Sequence, residues 1–415
     1  MNESNPPTTR RPATRPAGGV CPPRWEATHR RLDRRGFRGV VPNSGMSRRD
    51  IHYWKCDRPA AFHGTQPRGD ADGQIARQLQ AELQRHFDTG DVVLRPGAGE
   101  GNHLTWSVDL HGQPLFVRVE NGPEQDTHLA VESALLDRVR AAGVTTPRVL
   151  GCDVSRRRVP FAWQALERKA ASDLNAWFQQ GTLQVPKVAY DIGVAVATWQ
   201  SIQFGGFGVL EFGGVDGQGD SKAPGARFPG SLEGPHRRYA DYFHLRLDQH
   251  MHFLVERGFL ANADEIRAEI ENHRALLDLP QGCLVHKDLA LWNILGSRDE
   301  IAAFIDFDDS ISGDPMDDLS LLACFHDALF LQRALEGYQS VRPLPDDHRR
   351  RLWLHLLRNM IVKSVIRVGA GYFDRGAGFF LLGPGLRGAD LERMTRQRLA
   401  TALDGLRADA ETTIL

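Results

Sequence analysis

The stretch Cys283 to Leu319, CLVHKDLALWNILGSRDEIAAFIDFDDSISGDPMDDL, constrains the chain more than any other. Two apolar runs, CLV and IAAFI, bracket a loop with His286, Asp288 and Asn293, and Asp306 follows the second run. IAAFI reads as an apolar strand, and Asp306 at its end projects a carboxylate there. Two carboxylates and an amide oxygen are hard ligands suited to a metal ion against phosphate. Phosphoryl transfer asks a protein mainly for positioning and charge neutralisation, by a base, metal ligands and a cation. This segment supplies the first two, and the cation must come from elsewhere.

The chain has 415 residues, enough for two or three domains or for one bilobal enzyme. Its hydrophobic and charged fractions, 41% and 25%, are those of a globular protein, and the net charge of −1 selects no partner class. The charge is uneven, however. Residues 1–70 hold 14 Lys and Arg against 6 Asp and Glu, and the remainder holds 37 against 46. The first 70 residues are rich in Pro, Arg, Gly and Thr and cannot bury enough apolar surface to offset ordering entropy, so they read as a disordered basic extension. No nucleic-acid partner is expected, since only the cluster Arg30, Arg31, Arg34 and Arg35 in this extension offers a footing for one. Met46 offers an alternative start to Met1. Five scattered cysteines without a CxxC argue against a disulfide framework or zinc site and fit a reducing cytoplasm. No apolar run is long enough to predict a membrane span, and no secretory signal is visible.

From Gly73 the pattern becomes regular. Ile75, Leu79, Leu83 and Phe87 recur every four residues, one face of a helix. DVVLRP leads as a strand into the glycine-rich turn Gly97–Asn102, and LTWSVDL and PLFVRVE form a hairpin about His111-Gly112-Gln113. DTHLAVESALLDRVRAAG reads as a helix starting at Asp126 or Thr127 and stopping at Gly143. TPRVLGCDV and VPFAWQALE are two further strands. After Glu167 long helical patterns dominate, apart from a glycine-rich loop or flap at 204–235. The expected fold is therefore α+β: a small antiparallel-sheet N-lobe at 71–167 and a larger, mostly helical C-lobe at 168–415.

His286-Lys287-Asp288, Asn293 five positions after that Asp, Ile305-Asp306, and Gly313-Asp314-Pro315 with Asp318-Leu319 stand in order. The run resembles the catalytic core of the aminoglycoside phosphotransferase and choline-kinase-like family, relatives of protein kinases. With weaker motifs the resemblance extends from about Leu94 to the C-terminal helices. It implies a bilobal protein-kinase-like fold and a nucleotide-dependent phosphotransferase. Asp288 would be the catalytic base, and Asn293 and Asp306 the Mg2+ ligands. His286, Asp314 and Asp318 would support the catalytic loop, with Asp318 accepting its backbone N–H groups. Arg118 in LFVRVE aligns with the family's nucleotide-phosphate Lys or Arg, and Glu132 in the following helix is its candidate ion-pair partner. Gly99, Gly101 and Asn102 would approach phosphates through backbone N–H groups. The hinge would lie at Gln164–Glu167. Lys287 departs from the family's commoner Gly and is expected to be solvated, as are Asp308 and Asp309.

Two rival readings are weaker. Asp306-Phe307-Asp308-Asp309-Ser310 and Gly313-Asp314 to Asp318 echo haloacid-dehalogenase-like phosphatase motifs, but those come from distant strands and here lie a few residues apart. A catalytically degraded kinase-like binding module would have lost a base or a metal ligand, whereas Asp288, Asn293 and Asp306 are all present. The expected reaction moves the γ-phosphoryl group of ATP or GTP to a hydroxyl of a small molecule, an aminoglycoside-like antibiotic or an amino-alcohol or sugar metabolite. Asp308, Asp309, Asp314, Asp317 and Asp327 lie where a cationic acceptor would want acidic groups.

Overall fold

The computed structural model describes residues 73–97, 103–121, 126–213, 230–376, 381 and 385–415, all within one compact unit. Gly99, Gly101 and Asn102, expected at the phosphates, and the basic extension 1–70 lie outside these residues. Helix α1 (Gln74–His86) buries Leu79 and Leu83 completely, with Ile75 and Phe87 packed at the margin. Strands β1 (Val92–Pro96), β2 (His103–Leu110) and β3 (Gln113–Glu120) are followed by helix α2 (His128–Ala141) and by β4 (Val149–Asp153) and β5 (Trp163–Glu167). The strands form one antiparallel sheet in the order β1-β2-β3-β5-β4. The β2–β3 turn is the two-residue loop His111-Gly112, with φ of 52° and 80°. Positive φ at both positions matches the twist of the flanking strands, and Gly112 adopts it without a Cβ penalty.

In the C-lobe, helix Val185–Trp199 packs on Ala328–Gln339 closely enough for their backbones to touch. A Cβ on Gly193 would stand 1.9 Å from the Ala334 carbonyl oxygen, and one on Gly337 would stand 2.0 Å from that of Tyr190. The two glycines make the approach possible from both sides. The helix His348–Gly369 is buried along most of its length between Gly388–Ala408 and Met316–Ala323.

The site segment rests on two small sheets. Gly282–Val285 pairs with Ile311–Gly313, and Ile294–Gly296 with Ile301–Phe304. The flanks of the glycine-rich stretch are not a free flap. Gln203–Phe204 and Gly208–Val209 are the outer strands of the first of these sheets, and Leu232–Glu233 pairs with Glu211–Phe212.

Candidate active site

Strand Gly282–Val285 ends at a loop whose conformation is set mainly by one carboxylate. Asp318 is fully buried and accepts the backbone N–H groups of His286 at 3.1 Å and Lys287 at 3.2 Å, and the Trp199 indole N–H at 3.1 Å. Burial pushes its carboxyl up despite the opposing pull of His286. His286 is also fully buried. Its Nε2 bonds the Ile305 carbonyl at 2.9 Å and its Nδ1 accepts the Asp288 N–H at 3.3 Å, so the ring ties the loop to the strand that delivers Asp306. The ring packs 4.3 Å from that of Phe307.

Asn293 donates Nδ2 to the Asp288 carbonyl at 2.8 Å and to its Oδ2 at 3.1 Å. With Nδ2 committed to Asp288, the amide is held in place and its Oδ1 is the atom that can serve as a ligand. Asp306 follows the strand Ile301–Phe304 in the left-handed region, φ 68°, just before the 3-10 turn Phe307–Asp309. Its side chain is 36% exposed and opens on the cavity between the lobes.

Across that cavity, Arg118 on β3 donates to Asp306 Oδ1 at 2.9 Å, to Gln164 Oε1 at 2.8 and 3.1 Å, and pairs with Glu132. Glu132, buried in α2, also accepts the Phe307 N–H at 3.2 Å. Gln164 on β5 passes the contact on to Ser133 Oγ at 2.8 Å. Arg118, Glu132, Asp288, Asn293 and Asp306 line one cavity of about 740 Å³.

Five acids, Asp308, Asp309, Asp314, Asp317 and Asp327, differ from expectation in placement. Asp308 and Asp309 are buried and line the cavity instead of facing bulk water. Asp314 lies outside the cavity lining, bonded to the Met316 N–H at 2.8 Å and Arg351 at 2.7 Å, with His355 at 3.2 Å. Its burial is outweighed by His355 and Arg351, which hold the carboxyl below its ordinary range. Asp327 caps the helix Ala328–Gln339 through the Phe330 N–H at 3.0 Å.

Lys287 is not solvated either. Its Nζ is buried 2.7 Å from Asp317 and 2.9 Å from Asn359 Oδ1. Asp317 is thereby consumed in the core, and Lys287 holds its carboxyl low against burial.

Lys363 was not legible as a site residue. Its Nζ lies 3.3 Å from Asp288 Oδ1 and it lines the cavity. A signal was there. Arg351, His355, Asn359, Lys363 and Arg367 recur every four residues along the helix. That spacing places polar groups along one face, and in the structure they reach Asp314, Asp317 and Asp288 in turn.

Although its side chain is 36% exposed, Asp306 sits in a crevice whose desolvation, followed by Asp308, Asp288 and Asp309, raises the carboxyl from 3.8 to about 6 despite Arg118. A folded value above the unfolded one means that the folded state holds this proton more tightly. The group's stabilising share is therefore complete below about pH 4 and lost as pH rises through about 6. Asp306→Asn should accordingly gain thermal stability relative to the parent between pH 4.5 and 7.5. A melting-temperature difference flat across that range would show that Asp306 ionises normally.

A sheet lobe and a helical lobe with polar groups converging between them define a bilobal protein-kinase-like fold. The chain belongs to the phosphotransferase enzyme family, whose family model matches residues 92–353. It is a phosphotransferase with an alcohol group as acceptor, a small-molecule kinase. The fold is similar to that of aminoglycoside phosphotransferase APH(4)-Ia, at 16% identity over 81% of this chain and 100% of that one, with a TM-score of 0.54. A thermostable mutant of that protein, solved as a ternary complex with ADP and hygromycin B, aligns at 16% identity over the same shares of the two chains, with a TM-score of 0.55. No curated protein matches the chain. Among the described residues no helix is long and apolar enough to cross a membrane.

Proposed function

We propose that the chain transfers the γ-phosphoryl group of ATP or GTP to a hydroxyl of a small molecule. One observation carries this reading. Arg118 and Asp306, 188 residues apart in sequence, meet at 2.9 Å in the same cavity as Asp288 and Asn293. Asp288 accepts the substrate hydroxyl's proton and orients its oxygen. Lys363 and Asn293 fix the carboxylate from its two sides. Arg118, held by Glu132 and Gln164, binds nucleotide phosphate. Phe116, Leu136, Pro147, Leu166, Leu295 and Ile305 give the cavity an apolar wall suited to a base. That the similar fold was solved with ADP supports a nucleotide co-substrate.

Among the described residues no cluster of three or more His, Cys, Asp or Glu side chains stands ready to hold a cation. Mg2+ does not need one. It is commonly held by one or two carboxylates together with substrate phosphates and water. Asp306 and Asn293 are hard oxygen donors, and a cation would offset both the burial and the neighbouring carboxylates that lift the Asp306 carboxyl. Mg2+ bound there would neutralise charge on the transferring group.

Asp306→Ala should therefore abolish the dependence of nucleotide affinity on Mg2+. Titration of ATP with and without Mg2+ checks this. Unchanged metal-linked binding would remove Asp306 from the site.

A further inference from the structure

The acceptor half of the cavity has a different lining from the nucleotide half. Trp292, Phe325, Ile366, Tyr372 and Leu381 provide an apolar and largely aromatic wall, and two cations, Lys363 and Arg367, are set into it. Lys363 already contacts the Asp288 carboxylate. Arg367 is different. It is 5% exposed, and among the described residues its only hydrogen bond is from one terminal nitrogen to Thr395 Oγ1 at 2.8 Å. It forms no ion pair with a carboxylate among the described residues, although it lines the cavity. Its guanidinium lies 5.9 Å over the Phe325 ring, and Lys363 Nζ lies 5.3 Å from the same ring.

Buried charges are normally paired. Burial here is severe enough to pull the Arg367 guanidinium down to about 10, so it stays charged at neutral pH. The cavity therefore carries a largely desolvated cation beside an aromatic surface, without a counter-charge from the described residues.

We propose that the acceptor is a hydroxy carboxylate, whose carboxylate is the counter-charge of Arg367 while its hydroxyl faces Asp288. The proposal rests on the kinase reading and names its substrate class. A guanidinium presents N–H groups in a planar fork that suits a carboxylate. A single, tightly enclosed guanidinium is a poorer match to a doubly charged phosphate. Lys363 and Arg367 are one helical turn apart, roughly 6 Å along the axis. The acceptor's hydroxyl and carboxylate are accordingly separated by about the length of one ring, and an apolar body lies against Phe325 and Trp292. A polycationic aminoglycoside would meet Lys363 and Arg367 with like charge. Of the five acids expected to receive such a compound, only Asp308 and Asp309 line the cavity.

The test uses the full chain saturated with ADP and Mg2+ and three probes that share a ring and a primary hydroxyl. These are 4-(hydroxymethyl)benzoate, its carboxamide and 4-(hydroxymethyl)benzylamine. Calorimetric titration should show the benzoate binding at least about tenfold more tightly than the amide, the value of one charge-assisted hydrogen bond. The amine should bind most weakly. In Arg367→Met the preference for the benzoate should vanish while ADP affinity stays that of the parent, which also reports that the variant is folded. Equal or absent binding of the three, preference for the amine, or a benzoate preference that survives Arg367→Met would overturn the proposal. Failure of ADP to bind the parent would instead sink the nucleotide reading, and the probe preference would be measured without it.

Discussion

Asp288→Asn should lower turnover by about 10² to 10⁴ while leaving nucleotide affinity close to that of the parent. The argument is local. Asp288 touches Asn293 through Oδ2 and Lys363 through Oδ1, and neither contact belongs to the Arg118–Glu132–Gln164 group on the other side of the cavity. An asparagine fills the same volume and can still accept from Asn293 or Lys363. It cannot take a proton from a hydroxyl. The loss should appear in kcat and kcat/KM alike, since the interaction removed is one strengthened only in the transition state. Steady-state kinetics with nucleotide titration decide it. Turnover within about tenfold of the parent would place the base elsewhere.

Lys287→Met should cost about 3 to 5 kcal/mol of stability, because removing one partner of a buried pair leaves the other uncompensated. Lys287 and Asp317 have side chains 6% and 1% exposed, so solvent screening gives little relief. The site also carries a backbone cost. Lys287 sits at φ 66°, where a side chain meets the following carbonyl and glycine does not. The buried bonds to Asp317 and Asn359 offset it. Lys287→Met/Asp317→Leu should recover most of the loss, since both charges then go together. Denaturant midpoints of the two variants measure this. A single variant within about 0.5 kcal/mol of the parent would mean that Asp317 is neutral or hydrated.

Much of the N-lobe was readable because its signals are local. Alternation in LTWSVDL and PLFVRVE, the His111-Gly112 turn and the four-residue repeat of Ile75, Leu79, Leu83 and Phe87 each refer to neighbours within a few positions. The family was readable because the motifs that carry the resemblance stand close together between His286 and Leu319. Lys287 misled because its partners lie 30 and 72 residues away, and a lysine in a loop is by default solvated. Asp314, Asp317 and Asp327 read as cleft acids on proximity in sequence alone. Their true partners on the helix His348–Gly369, or in the case of Asp327 the turn it caps, could not be deduced from that proximity. Asp308 and Asp309 were misplaced because a 3-10 turn at Phe307–Asp309 folds them inward where an open loop would have left them in water.

The polar face of the helix His348–Gly369 also imposes an order of events during synthesis. Residues 283–319 emerge from the ribosome well before residues 351–367. In that interval Asp314, Asp317 and Asp288 lack Arg351 and His355, Asn359, and Lys363. Lys287 can pair with Asp317 in the nascent chain before Asn359 joins them. The loop that reads as the most self-sufficient part of the sequence thus gets its full set of partners only when a helix made later docks its charges against it.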